Sequence, residues 1–183
     1  MQGRFWVNDP DFLVVRGPGL ARKPTHAYRY PNPYKFGGWE TGEEFDLEEA
    51  RTWASAVMLS GGAVTPGDRM SLLEPRALRL IKTVLDNLSN VPARPLDFWT
   101  SYMPALWLQR NNEEIKLGVF NWYDKPKTFT VTDKDVAIPE LSGARYRELW
   151  TGKPRGTWNG ELTLTIPPHA ARVLKFAPLP ARK

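Results

Sequence analysis

The sequence predicts an α/β segment followed by an all-β domain, and three observations carry that expectation. Residues 4 to about 90 spell strand, loop, helix, strand, helix, the order of a parallel α/β unit. A Pro-rich break, "NVPARP", follows at residues 90–95. Beyond it the chain becomes short runs of β-branched and aromatic residues, with period-two stretches, separated by Asn, Gly, Pro and Asp turn signals. The expected division is residues 1–93 for the α/β segment and 94–183 for an antiparallel β-sandwich, with the boundary near Val91 to Pro95.

The first element is "RFWVNDPDFLVVRG", residues 4–17. Its two apolar runs, 4–7 and 12–15, lack alternation, as in a strand buried on both faces, and Pro10 interrupts them. One parallel-type strand ending near the knot Asn8-Asp9-Pro10-Asp11 is expected. From Gly17 to Gly42 the chain is dense in Pro, Gly and aromatics without periodicity, a long loop of the functional or mobile kind. "FDLEEARTWASAVMLSGG" then reads as a helix, with Asp46 as N-cap, Glu48 and Glu49 in the first turn and Gly61-Gly62 as its stop. Leu47, Ala50, Ala54, Val57 and Met58 form its inward face. "GGAVTPGD" is a short strand ending at Asp68, and "LLEPRALRLIKTVLDNLS" a second helix with Pro75 in its first turn. Leu78, Ile81, Leu85 and Leu88 mark the expected stripe of that helix.

In the second segment the strand candidates are "ALWLQRN", "EIKLGVFNW", "KTFTVT", "ARYRELWT", "ELTLTIP" and "ARVLKFA". Asn159-Gly160, between Trp158 and "ELTLTI", is a hairpin signal, since a type I′ turn wants φ > 0 at both central positions. Trp107, Trp122, Trp150 and Trp158 are expected in core or inter-domain packing, and His169 in a turn before the last strand.

Composition narrows the chemistry. The chain is globular in character, 42% hydrophobic and 12% aromatic, and it has no Cys, which excludes disulfides, thiolate metal sites and cysteine nucleophiles. His26 and His169 lie far apart and in no metal-ligand spacing, so neither a metal nor a cofactor is called for. The net charge of +5 is spread along the chain without a recognition helix or basic block, which argues for a solvated surface and no nucleic-acid partner. No secretory leader and no apolar run near the ~20 residues of a membrane span are visible. A cytoplasmic protein without membrane contact is the resulting expectation.

Taken in order, "FWVNDPDFLVVRG", "EEARTWASAVMLSGG", "LGVFNW", "LWTG" and "IPPHAARVL" resemble the carboxyl-terminal part of α-galactosidase-like glycoside hydrolases. These are retaining enzymes with a TIM-barrel catalytic domain followed by an antiparallel β domain. The resemblance implies a partial TIM barrel, strands seven and eight with their helices, and active sites of such barrels sit at the carboxyl ends of the strands. It implies Asp11, Phe12, Trp6 and Asp68 as the sugar-binding residues, with Asp68 at the acidic position after strand eight. The family usually has a small residue or Ser before that acid, where Gly67 stands here. The implied partner is a galactoside or another sugar.

Retaining glycosidases use two carboxyl groups ~5 Å apart, as nucleophile and acid/base. By the resemblance both belong to the fourth and sixth strands, and a chain that begins at the seventh lacks them, so its catalytic residues are unknown and little activity is expected of it alone. Asp9 and Asp11, two apart on a strand, do not by spacing alone make such a pair. Asn8 and Asp9 suit side-chain turns around Pro10. Glu40, Glu43 and Glu44 read as solvated or helix-leading, and Tyr28, Tyr30, Tyr34, Phe36 and Trp39 as cover for apolar surface. Two parallel strands cannot close a barrel, so Trp6, Val7, Leu13 and Val15 are expected to lie uncovered unless a preceding barrel portion, the β domain or a second copy covers them. A homo-oligomer is expected on that ground. The alternative function is a non-catalytic carbohydrate-binding or self-assembling module.

Overall fold

The computed structural model describes residues 7–17, 19–22, 45–111 and 114–177. Trp6, most of the aromatic loop and Glu40, Glu43 and Glu44 lie outside the described residues.

The first part is a parallel β-α-β unit completed by a second helix. Strand β1 (Phe12–Leu13) pairs in parallel with β2 (Thr65–Pro66), and helix α1 (Leu47–Leu59) lies between them in sequence. Asp46 caps α1 as its composition requires: its carboxylate accepts from Glu49 N, and the Glu49 side chain accepts from Asp46 N. This reciprocal box satisfies two otherwise unpartnered donors and contributes about 1 kcal/mol. Gly61, at φ 68°, terminates the helix in the left-handed conformation that glycine takes without strain. A side chain there would run into the backbone of Val91 and Pro92.

Helix α2 (Pro75–Leu85) starts with Pro at N1, as expected, but its buried face is rotated from the expected stripe. Ala77, Leu80, Ile81 and Val84 face inward, whereas Leu78, Leu85 and Leu88 are exposed. Both sets have helical spacing. The choice is made by α1, which offers the small residues Ala50 and Ala54 to the same core. Leu13 and Val15 are likewise fully buried in that core, a correction to the expectation that they lie uncovered. They face the helices of their own unit, and it is Val7 and Phe12 that are exposed.

The second part is a sandwich. A six-stranded sheet has the order β3 (Arg94–Pro95), β4 (Leu106–Arg110), β5 (Ile115–Phe120), β10 (Ala171–Phe176), β7 (Arg145–Glu148) and β8 (Arg155–Thr157). A two-stranded sheet of β6 (Lys127–Thr132) and β9 (Glu161–Ile166) packs over it. All neighbours within both sheets are antiparallel. On β6 and β9 the alternation is plain: Thr128 with Thr165 and Thr130 with Thr163 pair hydroxyls on the exposed face, while Phe129, Val131, Leu162, Leu164 and Ile166 turn to the core.

Asn159-Gly160 does not close a hairpin. β8 pairs with β7, and β9 pairs with β6, so the dipeptide carries the chain from one sheet to the other. Its turn conformation is real, with Gly160 at φ 94°, but the neighbouring Trp158 decides the path. That indole is fully buried between the sheets and donates from Nε1 to Asp133 Oδ1 at 2.6 Å.

Every residue of β5 is buried because the large sheet is covered on both faces. Ile115, Leu117 and Val119 join the inter-sheet core, and Phe120, with Ala171 and Val173 of β10, packs against α1. Gly118 lets α1 approach: a Cβ there would sit 2.6 Å from Leu59 Cδ1. Polar contacts cross the same interface, including Arg172 Nη1 to Glu48 Oε2 at 2.6 Å, Trp150 Nε1 to Ser55 Oγ at 2.9 Å and Thr52 Oγ1 to the His169 carbonyl at 2.9 Å.

Lys116 is fully buried, and its amine donates to Gln109 Oε1 and Glu114 Oε1. Gln109 Nε2 donates in turn to the Val91 carbonyl, and Lys175 Nζ contacts both Glu114 and Asn87. Burial pushes the Lys116 pKa down, offset in part by the hydrogen bond and charge of Glu114. Burial alone would raise the Glu114 pKa, but hydrogen bonds from Lys116 and Lys175 outweigh it and hold the carboxyl below its ordinary 4.5.

Candidate sugar-binding site

The segment Asn8–Arg16 runs beside Gly62–Asp68 over its whole length, and its hydrogen bonds show where the polar knot falls. Ala63 N donates to Asn8 O, which sets Asn8 opposite Gly62, and Phe12 stands opposite Thr65. The first strand therefore takes four steps where the second takes three, and the extra residue is a bulge in the knot. The expectation that the strand ends at the knot is corrected: the knot precedes β1. Pro10 cannot donate to a ladder, and Asp11 adopts φ 71°, so regular pairing resumes only at Phe12.

The knot's side chains hold the bend. Asp9 Oδ1 accepts from Asp11 N at 3.0 Å, the turn expected of it, and Asn8 Nδ2 donates to the Ser60 carbonyl at 3.0 Å. Asp11 Oδ1 accepts from Phe12 N at 2.7 Å. Asp11 Oδ2 has no partner among the described residues, and the side chain is exposed. Left-handed backbone at a non-glycine residue is a local strain that Asp tolerates better than most. Phe12 next to it is 55% exposed, with its carbonyl held by Trp53 Nε1 at 2.9 Å. Gly67 leaves room for the Phe12 side chain, since a Cβ there would lie 2.8 Å from Phe12 Cβ. An open carboxylate oxygen beside an exposed aromatic ring can accept from a hydroxyl and cover a C–H face, the two things a sugar ring presents.

Asp68 is placed differently. Its side chain is 1% exposed, with Oδ2 accepting from Val15 N at 2.7 Å and Oδ1 from Arg16 Nη1 at 3.0 Å. Both oxygens thus serve the continuation of β1, and the residue ties the two strands together beyond their ladder. Asp11 and Phe12 stand at the bulge, and Asp68 lies past the end of β2.

Sequence reasoning overlooked one surface feature. The loop between β3 and β4 exposes Phe98, Trp99, Tyr102 and Met103, with Trp99 at 92% and Tyr102 at 98%. The loop is ordered from within, because the Asp97 carboxylate accepts from Ala105 N and Leu106 N, and its carbonyl accepts from Thr100 N and Ser101 N. "DFWTSYMP", four large apolar residues between prolines, was the available signal. Among the tryptophans expected inside, Trp158 is fully buried, and Trp107, Trp122 and Trp150 are partly buried against the core under α1. His169 sits in the turn before β10, with Nε2 2.8 Å from Asp124 Oδ1. No described helix is long and apolar enough to cross a membrane, and no group of three potential metal ligands occurs among the described residues.

A parallel βαβα segment is joined through one shared core to an antiparallel sandwich, and that sandwich is of the kind found at the carboxyl end of alpha-galactosidases. More particularly, residues 96–176 match the alpha galactosidase C-terminal beta sandwich domain family. Among solved structures, alpha-galactosidase I from Mortierella vinacea is similar over 77% of this chain and 38% of its own, at 20% identity and a TM-score of 0.60. A variant of the β-L-arabinopyranosidase from Geobacillus stearothermophilus, in complex with arabinose, is similar over 80% and 34%, at 20% identity and a TM-score of 0.65. The alpha-galactosidase from Saccharomyces cerevisiae, with raffinose, is similar over 74% and 44%, at 11% identity and a TM-score of 0.57. Each similarity covers more of the chain than residues 96–176 and so reaches into the βα segment. The chain spans less than half the length of these structures. Curated protein sequences give no match.

Proposed function

We propose that this chain supplies the last two βα units of a TIM barrel and the β domain of an α-galactosidase-like retaining glycoside hydrolase. In this reading the bulge presents Asp11 and Phe12 to a galactoside, and Asp68 positions the strand from behind. The observation that carries it is the exposed Asp11 carboxylate, fixed at one oxygen and open at the other, beside the exposed Phe12 ring. The exposed Leu78, Leu85 and Leu88 support it, since a second apolar stripe on α2 suits a neighbouring barrel helix or a second copy of the chain. The structures with arabinose and raffinose show that proteins of this fold accept sugars. Hydrolysis would need the nucleophile and acid/base of two further barrel strands.

Galactose titration followed by tryptophan fluorescence tests the reading, because Trp53 is bonded to the Phe12 carbonyl and reports on the bulge. The expected result is saturable binding in the millimolar range that Asp11→Asn weakens. Absence of binding, or binding indifferent to Asp11→Asn, refutes it. Sedimentation belongs to the same experiment: self-association that Leu78→Glu with Leu85→Glu abolishes supports coverage by a second copy, and a monomer at micromolar concentration refutes it.

A second reading, a carbohydrate-binding module without catalysis, is favoured by the Trp99 and Tyr102 loop. Beside it lies a hollow of about 420 Å³ lined by Arg94, Phe98, Trp99 and Asp135, aromatic faces next to hydroxyl-binding groups. Galactose binding that Trp99→Ala removes and Asp11→Asn leaves intact selects this reading.

A further inference from the structure

The outer edge of the six-stranded sheet carries a cationic hollow. β10, β7 and β8 are consecutive there, and their register sets Lys175 opposite Arg147 and Arg147 opposite Arg155. Opposed residues share a face and strands stand ~4.8 Å apart, so three cations form a row about 10 Å long. Arg145, two residues before Arg147, shares that face. All four line one cavity of about 530 Å³, together with Thr157, and no carboxylate lines it. Lys175 reaches inward to Glu114 and Asn87. Arg145, Arg147 and Arg155 are exposed and make no ion pair among the described residues.

Like charges placed directly opposite one another weaken a ladder, and an anion seated across them removes that cost. Arginine offers a planar fork of donors that engages an oxyanion through two hydrogen bonds. A row of such forks suits anionic groups repeated along a chain better than a single ion. β8 is the last strand of its sheet, so its outer backbone groups and the Thr157 hydroxyl remain to bond sugar hydroxyls. An acidic protein partner would want an aromatic anchor at the centre. The aromatic nearest the surface, Tyr146, is instead packed against Phe176, with ring centroids 5.8 Å apart.

The geometry points to a binding site for an anionic polysaccharide, sulfated or uronate-bearing, across Arg147 and Arg155. This inference stands apart from the Asp11 reading and does not need it.

The test uses the full chain on surfaces bearing heparin, polygalacturonate, neutral galactan or polyglutamate at low salt. Retention on heparin, on polygalacturonate or on both, with no retention on polyglutamate and none on galactan that depends on Arg147 and Arg155, is the expected result, and the comparison of the first two identifies the anion. Arg147→Gln with Arg155→Gln weakens retention by about tenfold or more, as two lost charge-assisted contacts imply. Arg76→Gln with Arg79→Gln, an equal loss of charge on the exposed side of α2, changes it less than about twofold. Circular dichroism checks that both variants fold. The inference is overturned if neither anionic polysaccharide retains the protein, if polyglutamate retains it as well as they do, or if the α2 control weakens binding as much as the Arg147 and Arg155 pair.

Discussion

Asp68 offers the sharpest test of how the two parallel strands are held together. Their ladder is only two residues long on each side, Phe12–Leu13 with Thr65–Pro66, so contacts beyond it matter. Asp68→Ala removes the acceptor of Val15 N, a buried amide that no water can reach without rearrangement. Leaving such a donor unsatisfied costs about 1–3 kcal/mol. The lost ion pair with Arg16 adds at most about 1 kcal/mol, because the arginine is about one-third exposed. The sum is about 3 kcal/mol of destabilisation. Asp68→Asn keeps an oxygen for Val15 N and loses the charge and the acceptor for Arg16 Nη1, so about 1 kcal/mol is expected. Equilibrium unfolding in urea resolves the two, since for an m-value of about 2 kcal/mol/M the alanine variant shifts the midpoint by about 1.5 M. A cost below about 0.5 kcal/mol for Asp68→Ala, or equal costs for both variants, would refute a role in holding β1.

Four further outcomes follow from the same structure. Gly118→Ala puts a methyl 2.6 Å from Leu59 Cδ1 and 2.9 Å from Phe120 Cε2, and overpacking of about 1–3 kcal/mol should appear as a lowered melting temperature. Asp11→Ala, at φ 71°, should cost about 1–2 kcal/mol in thermal unfolding, while Asp11→Asn, which tolerates that backbone, should cost much less. Glu114 is held below its ordinary 4.5, so its stabilising contribution is complete above that value and is lost as pH falls through the lower folded value. The stability gap between the native chain and Glu114→Gln should therefore narrow in acid. For Lys116, lowered from 10.5, the cost of burying its charge is fully present below its folded value and fades as pH rises toward 10.5, so stability measured against Lys116→Met should rise over that window.

Local chemistry that acts within a few residues was legible in advance. The Asp46 cap, Pro75 at N1, the Gly61 stop and six of the sandwich strands follow from side-chain size, hydrogen-bonding groups and backbone freedom, and the structure has each where the sequence put it. The turn formed by Asp9 belongs to the same class. Where two local solutions were equally good, the sequence was silent. α2 carries two apolar stripes, and only the small residues of α1 select Ala77, Leu80, Ile81 and Val84. Asn159-Gly160 turns the chain in either setting, and burial of Trp158 between the sheets decides that it crosses rather than returns. Strand β8, three exposed residues with a glycine at the centre, has no apolar pattern to read, and it exists because β7 offers it a partner.

The candidate sites divide along the same line. That the knot holds a carboxylate beside an aromatic residue was visible in "NDPDF", and its turn chemistry was predictable from Asp and Pro. That one oxygen of Asp11 stays open while both oxygens of Asp68 are consumed by Val15 and Arg16 depends on residues more than fifty positions away. The cationic row is likewise unreadable one strand at a time, because Arg147, Arg155 and Lys175 become neighbours only when β10, β7 and β8 take their order and register. Alternation and capping are properties of a single segment, whereas which charge is neutralised and which stays free is set by the partner that tertiary packing brings to it.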